Sequence, residues 1–371
     1  MKMKSNYNFE DVLKQYDFNS KVVEIKPIGL GHINDTFLVS CAGQDGLTIK
    51  YILQKININV FKTPEKLMEN IKNVTTYLSE KIVARGGDAD RETLNLIKTI
   101  DGKVFYKSIS GDYWRSYKFI EGAQTYQVVE TLKQIYNAGK AIGNFEELLK
   151  AYPVDELYET IPDFHNTKKR YEAFVEAVTV DAVNRAKDVQ AEIDFVLARG
   201  HEASLLVDLL NAGKLPLRVT HNDTKFNNVM FDDLTGEGIC VIDLDTIMPG
   251  LSLYDFGDSI RSATNPAEED EVNLSKVCMN IELFEQFTKG FLEGTNNSLT
   301  ALELEYLPFS AKLMTLECGI RFLTDHLNGD TYFKIHRENH NLDRARTQFK
   351  MVIDMEEKFE KMQAIVKKYS V

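Results

Sequence analysis

His221-Asn222-Asp223-Thr224-Lys225-Phe226-Asn227-Asn228 is the stretch on which the reading of this chain turns. It is flanked by short β-type runs, LRVTH (217–221) and GICVID (238–243). Asp223 can accept a proton, and Lys225 two residues on carries a positive charge. Asn228, five residues on from Asp223, offers a side-chain oxygen to a hard cation. A plain polar turn between strands would need none of these in this order. The run GICVIDLD (238–245) strengthens the case, because it is apolar and β-branched and closes on two acids, Asp243 and Asp245. A carboxylate ending an apolar strand must have its desolvation compensated by a cation or hydrogen bonds.

Base, cation and oxygen ligands in this order are what phosphoryl transfer needs. The pattern H-x-D-x-K-x-x-N has the spacing of a protein-kinase catalytic loop, with Asn222 where an Arg is usual. Asp243 follows Asp223 by 20 residues, the place of the second metal-binding Asp in kinase-like folds. The spacing predicts Asp223 as catalytic base, Lys225 beside the moving phosphate, and Mg2+ held by Asn228 and Asp243, with Asp245 open to a second ion. Asp255-Phe256-Gly257 also spells a kinase signature, but it comes 32 residues after Asp223 with no β-run before it. Asp255 is therefore expected to accept hydrogen bonds from the loop backbone at a helix start.

Working back toward the N-terminus, KVVEIKPI (21–28), residues 35–40 and LTIKYILQKI (47–56) read as strands. Thr63-Pro64 marks a helix start. Leu67, Ile71, Val74, Leu78 and Ile82 then give one apolar face, and Gly86-Gly87 ends it. LNLIKTI and KVFYKSI around Asp101-Gly102 predict a hairpin, and DYWRSYKFI (112–120) a fifth strand. Residues from about 125 to 215, and from 253 onward, carry helical periodicity. The expected class is α+β, a two-lobed protein-kinase-like fold. A small antiparallel-sheet nucleotide-binding lobe (1–121) precedes a larger, mostly helical catalytic lobe (122–371). Gly29 and Gly31, between the first two strands, suit a loop over ATP phosphates, or are ordinary turn residues. His32 could contact phosphate or substrate, or nothing. The third strand lacks the usual lysine: Gln54 stands in its place, Lys55 faces the other way, and Lys50 lies further back on Gln54's face. Glu65 and Glu69 are the candidate partners on the following helix. The acid run Glu268-Glu269-Asp270-Glu271 could attract a cationic substrate, but it is expected to start a helix, where carboxylates favour the positive dipole end. His165, His201, His336 and His340 have no metal spacing.

The 371 residues carry a formal net charge of −12, with 43% apolar and 27% charged residues. A negative field of this size disfavours nucleic acid and anionic membranes as partners. ATP is also an anion, so its phosphates would need bound metal and placed cations. Four scattered cysteines fit a reducing compartment, and Met1 to Tyr16 has no apolar signal-peptide core. No apolar run approaches the roughly 20 residues that span a bilayer. The expected location is the cytoplasm.

GHIN (31–34), YILQ (51–54), YKFIE (117–121), LRVTHNDTK (217–225), IDLDTIMPG (242–250), DFGDSIR (255–261), EDE (269–271) and ECGIRFL (317–323) resemble the aminoglycoside phosphotransferase and choline kinase superfamily. Within it, the resemblance points to the N-acetylhexosamine 1-kinases and covers almost the whole chain. IDLDTIMPG is its most specific element. The resemblance implies transfer of the ATP γ-phosphate to the anomeric hydroxyl of N-acetylglucosamine or N-acetylgalactosamine, with Asp223 as base. Arg321 in CGIRFL and Tyr332 in GDTYF match positions that hold the sugar, and His32 is a further candidate there. Gln54 becomes a family trait, and Lys118, Phe119, Ile120 and Glu121 a hinge holding adenine through its backbone. A kinase of amino alcohols or aminoglycosides is the alternative. Its cationic substrate would call for carboxylates around the pocket, which Arg321 argues against. A catalytically dead nucleotide-binding scaffold is disfavoured by the intact Asp223, Asn228 and Asp243.

Overall fold

The computed structural model describes residues 7–18, 20–28, 33–43 and 46–370. The loop carrying Gly29, Gly31 and His32 lies outside the described residues. The chain divides into two compact units, one made of Met1–Ala123, Leu157–Ile161 and Cys240–Asp245, the other of Gln124–Glu156, Pro162–Ile239 and Thr246–Val371.

The first unit contains α1 (Phe9–Leu13), β1 (Val22–Pro27), β2 (Asp35–Ala42), β3 (Thr48–Ile56), α2 (Pro64–Ala84), α3 (Ala89–Glu92), β4 (Tyr106–Lys107) and β5 (Tyr113–Lys118). Its strands form an antiparallel sheet in the order β1-β2-β3-β5-β4. Side chains alternate across the pleat. Phe37, Val39, Cys41, Tyr51, Leu53 and Trp114 therefore gather on one face with Val12, Tyr16 and Phe18. The neighbouring positions Thr36, Gln54 and Arg115 stand in register across β2, β3 and β5. Helix α2 begins as expected at Pro64, although Thr63 makes no side-chain cap bond, and it buries Leu67, Ile71, Val74, Leu78 and Ile82. Asn70 on α2 exchanges two hydrogen bonds with the Tyr158 backbone, 2.8 and 2.9 Å, which ties residues 157–161 into this unit.

The hairpin expected around Asp101-Gly102 is only half present. Gly102 takes φ +80° and Thr99 bonds Lys103 across the tight turn. The flanking runs make isolated bridges, Tyr16 to Thr99 and Leu96 to Tyr117, and β4 is two residues long. Turn chemistry was legible, but the ladder depends on strand neighbours that no local pattern specifies.

The division falls within the short strand β6 (Ala123–Gln124), and the second unit contains α4 (Leu132–Leu149), α5 (Thr167–Val180), α6 (Gln190–Ala198), α7 (Leu205–Asn211), β7 (Arg218–Thr220), β8 (Val229–Asp232), the first half of β9 (Gly238–Val241), β10 (Met248–Gly250), α8 (Ser252–Ala263), α9 (Ile281–Gly294), α10 (Ala301–Leu327), α11 (His340–Glu357) and α12 (Phe359–Tyr369). Helices α4 and α9 meet backbone to backbone. A Cβ on Gly139 or Gly143 would stand 2.3 Å from the carbonyl oxygen of Phe287 or Phe291. One on Gly290 or Gly294 would stand 2.0 or 2.4 Å from that of Tyr136 or Lys140. Helix α10, 27 residues long, is the axis of the unit. Its Leu316, Ile320, Leu323 and Leu327 share a core with Phe174 and Ala177 of α5, Ile193 and Val196 of α6, and Leu342, Phe349 and Val352 of α11.

The acid run does not start a helix. Residues 268–271 lie in a turn before the short 3-10 segment Leu274–Lys276. Asp270 is 3.0 Å from His340 and also pairs with Arg337, while Glu269 is 3.4 Å from Arg261. Side chains brought in from α8, α11 and the segment before α11 engage these acids, from positions outside the run itself.

Candidate active site

Strands β7 and β10 pair antiparallel, with Thr220 opposite Met248, and so fix where the loop at 221 begins. From there its backbone is tethered group by group. The amides of His221 and Asn222 donate to Asp255, 2.8 and 2.7 Å, from the first turn of α8. This is the role expected for Asp255. Burial lifts its carboxyl to about 6 despite His221 and the two N–H donors. Thr224 Oγ1 donates to the Asp255 carbonyl at 2.6 Å, and Ser259 Oγ to the Thr224 carbonyl at 3.0 Å. Asn222 takes φ +65°, a left-handed conformation that Asn tolerates better than most residues. Its amide donates to the carbonyls of Thr220 and Thr246.

Asp223 follows, with its N–H on His221 Nδ1 at 3.2 Å and its carbonyl on Asn228 Nδ2 at 2.8 Å. Its side chain pairs with Lys225 Nζ at 2.8 Å, and the two remain 23% and 43% exposed, open enough to meet a ligand. Burial pushes the Asp223 carboxyl up, but the Lys225 ammonium, with His221 and Arg261, outweighs it and holds the group below the usual carboxylate value. The ammonium is raised in turn, chiefly by Asp223. Asn228 commits its amide nitrogen to the loop, so its Oδ1 keeps the acceptor capacity.

Farther along α10, Arg321 lies over the rings of Phe164 and Phe333, 5.6 and 5.5 Å from their centroids. Tyr332, 68% exposed, packs edge-on against the same Phe333 at 4.8 Å. Asp325 of α10 accepts the amides of Thr331, Tyr332 and Phe333 and so pins this turn beside Arg321's helix. Arg170, singled out by no sequence signal, has its charge disfavoured by burial and then by Arg321.

The other acids lie in the first unit. Asp243 adopts φ +63° just after β9. Asp245 is buried and forms an ion pair with the fully buried Arg115 of β5, while Asn34 Nδ2 donates to its other oxygen at 2.5 Å. Gln54, directly opposite Arg115, accepts from Arg115 Nε at 2.9 Å and donates to Thr36 Oγ1 at 3.1 Å. Burial opposes the Arg115 charge, but Asp245, Tyr117 and Asp243 hold it firmly protonated. Among the described residues of this sheet the buried cation is thus Arg115 on β5, and Gln54 orients it. Lys50 instead reaches Glu121 at 3.2 Å and Lys55 reaches Asp112 at 2.8 Å, both toward the surface. Glu65 bonds the Tyr113 hydroxyl. An arginine inside the strand run YWRSYK was the available signal for Arg115. At the segment 118–121, the amides of Lys118 and Phe119 are used by the Asn95 and Lys50 carbonyls, and Arg91 reaches the Glu121 carbonyl. Among the described residues, no three His, Cys, Asp or Glu side chains stand together as a ready metal cage.

The sequence matches the model of the phosphotransferase enzyme family (APH) over residues 24–275, and the chain belongs to that family. Solved structures with a similar fold include a microcompartment-associated aminopropanol kinase, 15% identical over 96% of this chain and 98% of that one, TM-score 0.56. An amicoumacin kinase in complex with AMP-PNP and Ca2+ is 14% identical over 95% and 94%, TM-score 0.59. A choline kinase from Cryptosporidium parvum is 16% identical over 92% and 91%, TM-score 0.53. At these identities the likeness is one of fold. The fold is the expected α+β, protein-kinase-like one, with an antiparallel sheet region followed by a helical region. No helix among the described residues is long and apolar enough to cross a membrane.

Proposed function

We propose that this phosphotransferase moves the γ-phosphoryl group of ATP to the anomeric hydroxyl of an N-acetylhexosamine. The observation that carries the reading is the Asp223–Lys225 pair, partly exposed in a loop whose backbone is held by Asp255, His221 and Asn228. Asp223 is held ionised, as a base must be, and it accepts the acceptor hydroxyl's proton as the loose transition state collapses. Lys225 balances charge on the transferred group. In this reading residues 1–121 serve the nucleotide through Gln54, the 118–121 backbone and the Gly29–Gly31 loop, and residues 122–371 serve the acceptor. Asn228 Oδ1 and the Asp243 carboxylate are oxygen donors suited to Mg2+, which when bound neutralises phosphate charge. Asp245, with one oxygen on Arg115 and the other on Asn34, contributes to a second ion only through remaining lone pairs.

Two neighbouring guanidinium groups, Arg321 and Arg170, beside Phe164, Phe333 and Tyr332 favour a neutral, hydroxyl-rich or acyl-bearing acceptor over a cation. The second reading is an amino-alcohol or aminoglycoside acceptor. It draws support from the similar structures, whose own names include aminopropanol, choline and ethanolamine kinases.

An ADP-release assay across N-acetylhexosamines, free hexoses, choline, ethanolamine, aminopropanol and aminoglycosides separates the two. Turnover confined to N-acetylhexosamines, with phosphorus–proton coupling to the anomeric proton of the product, is the expected result. Turnover on amino alcohols alone would transfer the assignment to the second reading. Coupling to the C6 methylene protons would replace 1-phosphorylation by 6-phosphorylation.

A further inference from the structure

His165 stands immediately before α5, 8% exposed, with both ring nitrogens facing oxygen. Nε2 is 2.8 Å from the Asn222 carbonyl oxygen, which can only accept, so Nε2 carries a proton. Nδ1 is 2.8 Å from Glu317 Oε1 on α10. Glu317 is 1% exposed, and its other oxygen accepts from Thr167 Oγ1 at 2.5 Å. The proton between Nδ1 and Glu317 belongs on the imidazole, the stronger base by about two pKa units in free side chains. Arg321, one turn along α10, further favours the carboxylate.

The carbonyl that His165 grips is half of the peptide joining Asn222 to Asp223. The other half, the Asp223 N–H, sits on His221 Nδ1. That peptide plane is therefore held from both edges, one residue before the proposed base, in a left-handed turn that needs external support. We propose that His165 and Glu317 form a buried imidazolium–carboxylate pair that locks the Asn222–Asp223 peptide and sets the aim of the Asp223 carboxylate. These are positioning residues for the transfer reaction, and the inference rests on the reading of Asp223 as base.

The surroundings agree with a charged ring. Burial opposes the His165 charge, but Glu317, the Asn222 carbonyl and Asp258 outweigh it and raise its pKa. The groups facing it are Glu317 on α10, Asp255, Asp258 and the Tyr254 ring on α8, and the adjacent Phe164 ring, while Arg321 of α10 and Thr167 of α5 face Glu317. A histidine whose folded pKa is raised contributes its full stabilisation below the unfolded value near 6.5 and loses it as pH rises through the folded value. Above that pH an Nδ1 lone pair faces the Glu317 carboxylate, and the grip on the loop weakens.

The test has two arms on the full-length chain. In the first, 15N-histidine labelling reads the protonation of both His165 nitrogens. Imidazolium shifts that persist above the ordinary histidine value of about 6.5, and are lost in Glu317→Gln, are expected. A His165 ring that loses its proton at or below that value overturns the proposal whether or not an acceptor has been found. In the second, kcat and KM are measured against pH on the best acceptor. His165→Asn keeps a donor toward Glu317 and none toward the loop, so kcat should fall on the order of 10- to 100-fold with KM for ATP unchanged. His165→Gln restores a neutral N–H toward Asn222. It should recover part of kcat and lose the alkaline fall of the wild type. Both variants matching the wild type in kcat and pH profile would overturn the proposal. A wild type that phosphorylates no acceptor would instead fault the functional reading, and the 15N arm would still decide the charge pair.

Discussion

Asp223 keeps a partly exposed carboxylate while the peptide groups on either side of it are tied to His221 and Asn228. Asp223→Asn should therefore preserve the fold and nucleotide affinity while lowering kcat by on the order of 10²–10⁴. A variant with more than about a tenth of wild-type kcat would remove Asp223 as the base. Asp255 does a different job with the same functional group. Asp255→Ala strands the buried amides of His221 and Asn222, so a loss of about 2–5 kcal/mol in urea unfolding is expected. Arg115 and Asp245 are fully desolvated partners. Arg115→Leu should cost about 3–5 kcal/mol by leaving Asp245 buried and uncompensated, and Arg115→Leu with Asp245→Leu should recover much of that loss. Equal unfolding midpoints for the single and double variants would mean that the pair is not coupled.

Glycines make the α4–α9 contact. Gly139 and Gly143 on one helix and Gly290 and Gly294 on the other each occupy a point where a Cβ would overlap a carbonyl of the facing helix. Glycine is costly in a helix interior, by about 1 kcal/mol relative to alanine, so close approach is the compensating gain. Gly290→Ala improves local propensity and should nevertheless destabilise by about 1–3 kcal/mol, because the helices must separate. An unchanged or raised thermal midpoint would show that the helices yield freely. The acid run at 268–271 teaches the converse lesson at this scale. Its charges looked like a helix start, but they are matched by Arg261, Arg337 and Arg344, with His340 beside Asp270, all from outside the run itself.

For the molecule as a whole, the net charge of −12 means that, on the proposed function, ATP would have to be recruited locally, with Mg2+ as the natural mediator. Mg2+ with ATP at about 100 times its Kd should stabilise the wild type by about 2.7 kcal/mol. Asp243→Ala should abolish that gain, whereas Asp255→Ala should lower the ligand-free midpoint and keep the gain. The reverse pattern in a thermal-shift series with EDTA controls would exchange the roles assigned to the two aspartates.

The eight residues from His221 to Asn228, the acids Asp243 and Asp245, and the strand and helix periodicities around them were readable directly, because motif spacing and side-chain alternation are local properties of a chain. They sufficed for the α+β class, for Asp223 as candidate base and for the structural role of Asp255. The buried cation on β5, the Gln54 that orients it, and the glycine seam between α4 and α9 were not readable in that way. Neither was the His165–Glu317 pair, because each depends on which residues meet across 57 to 211 positions of sequence. Lone charges such as Arg115, His165 and Glu317 carry no spacing signal of their own. Only tertiary packing decides that each is desolvated and paired, and a desolvated charge takes its meaning from its partner.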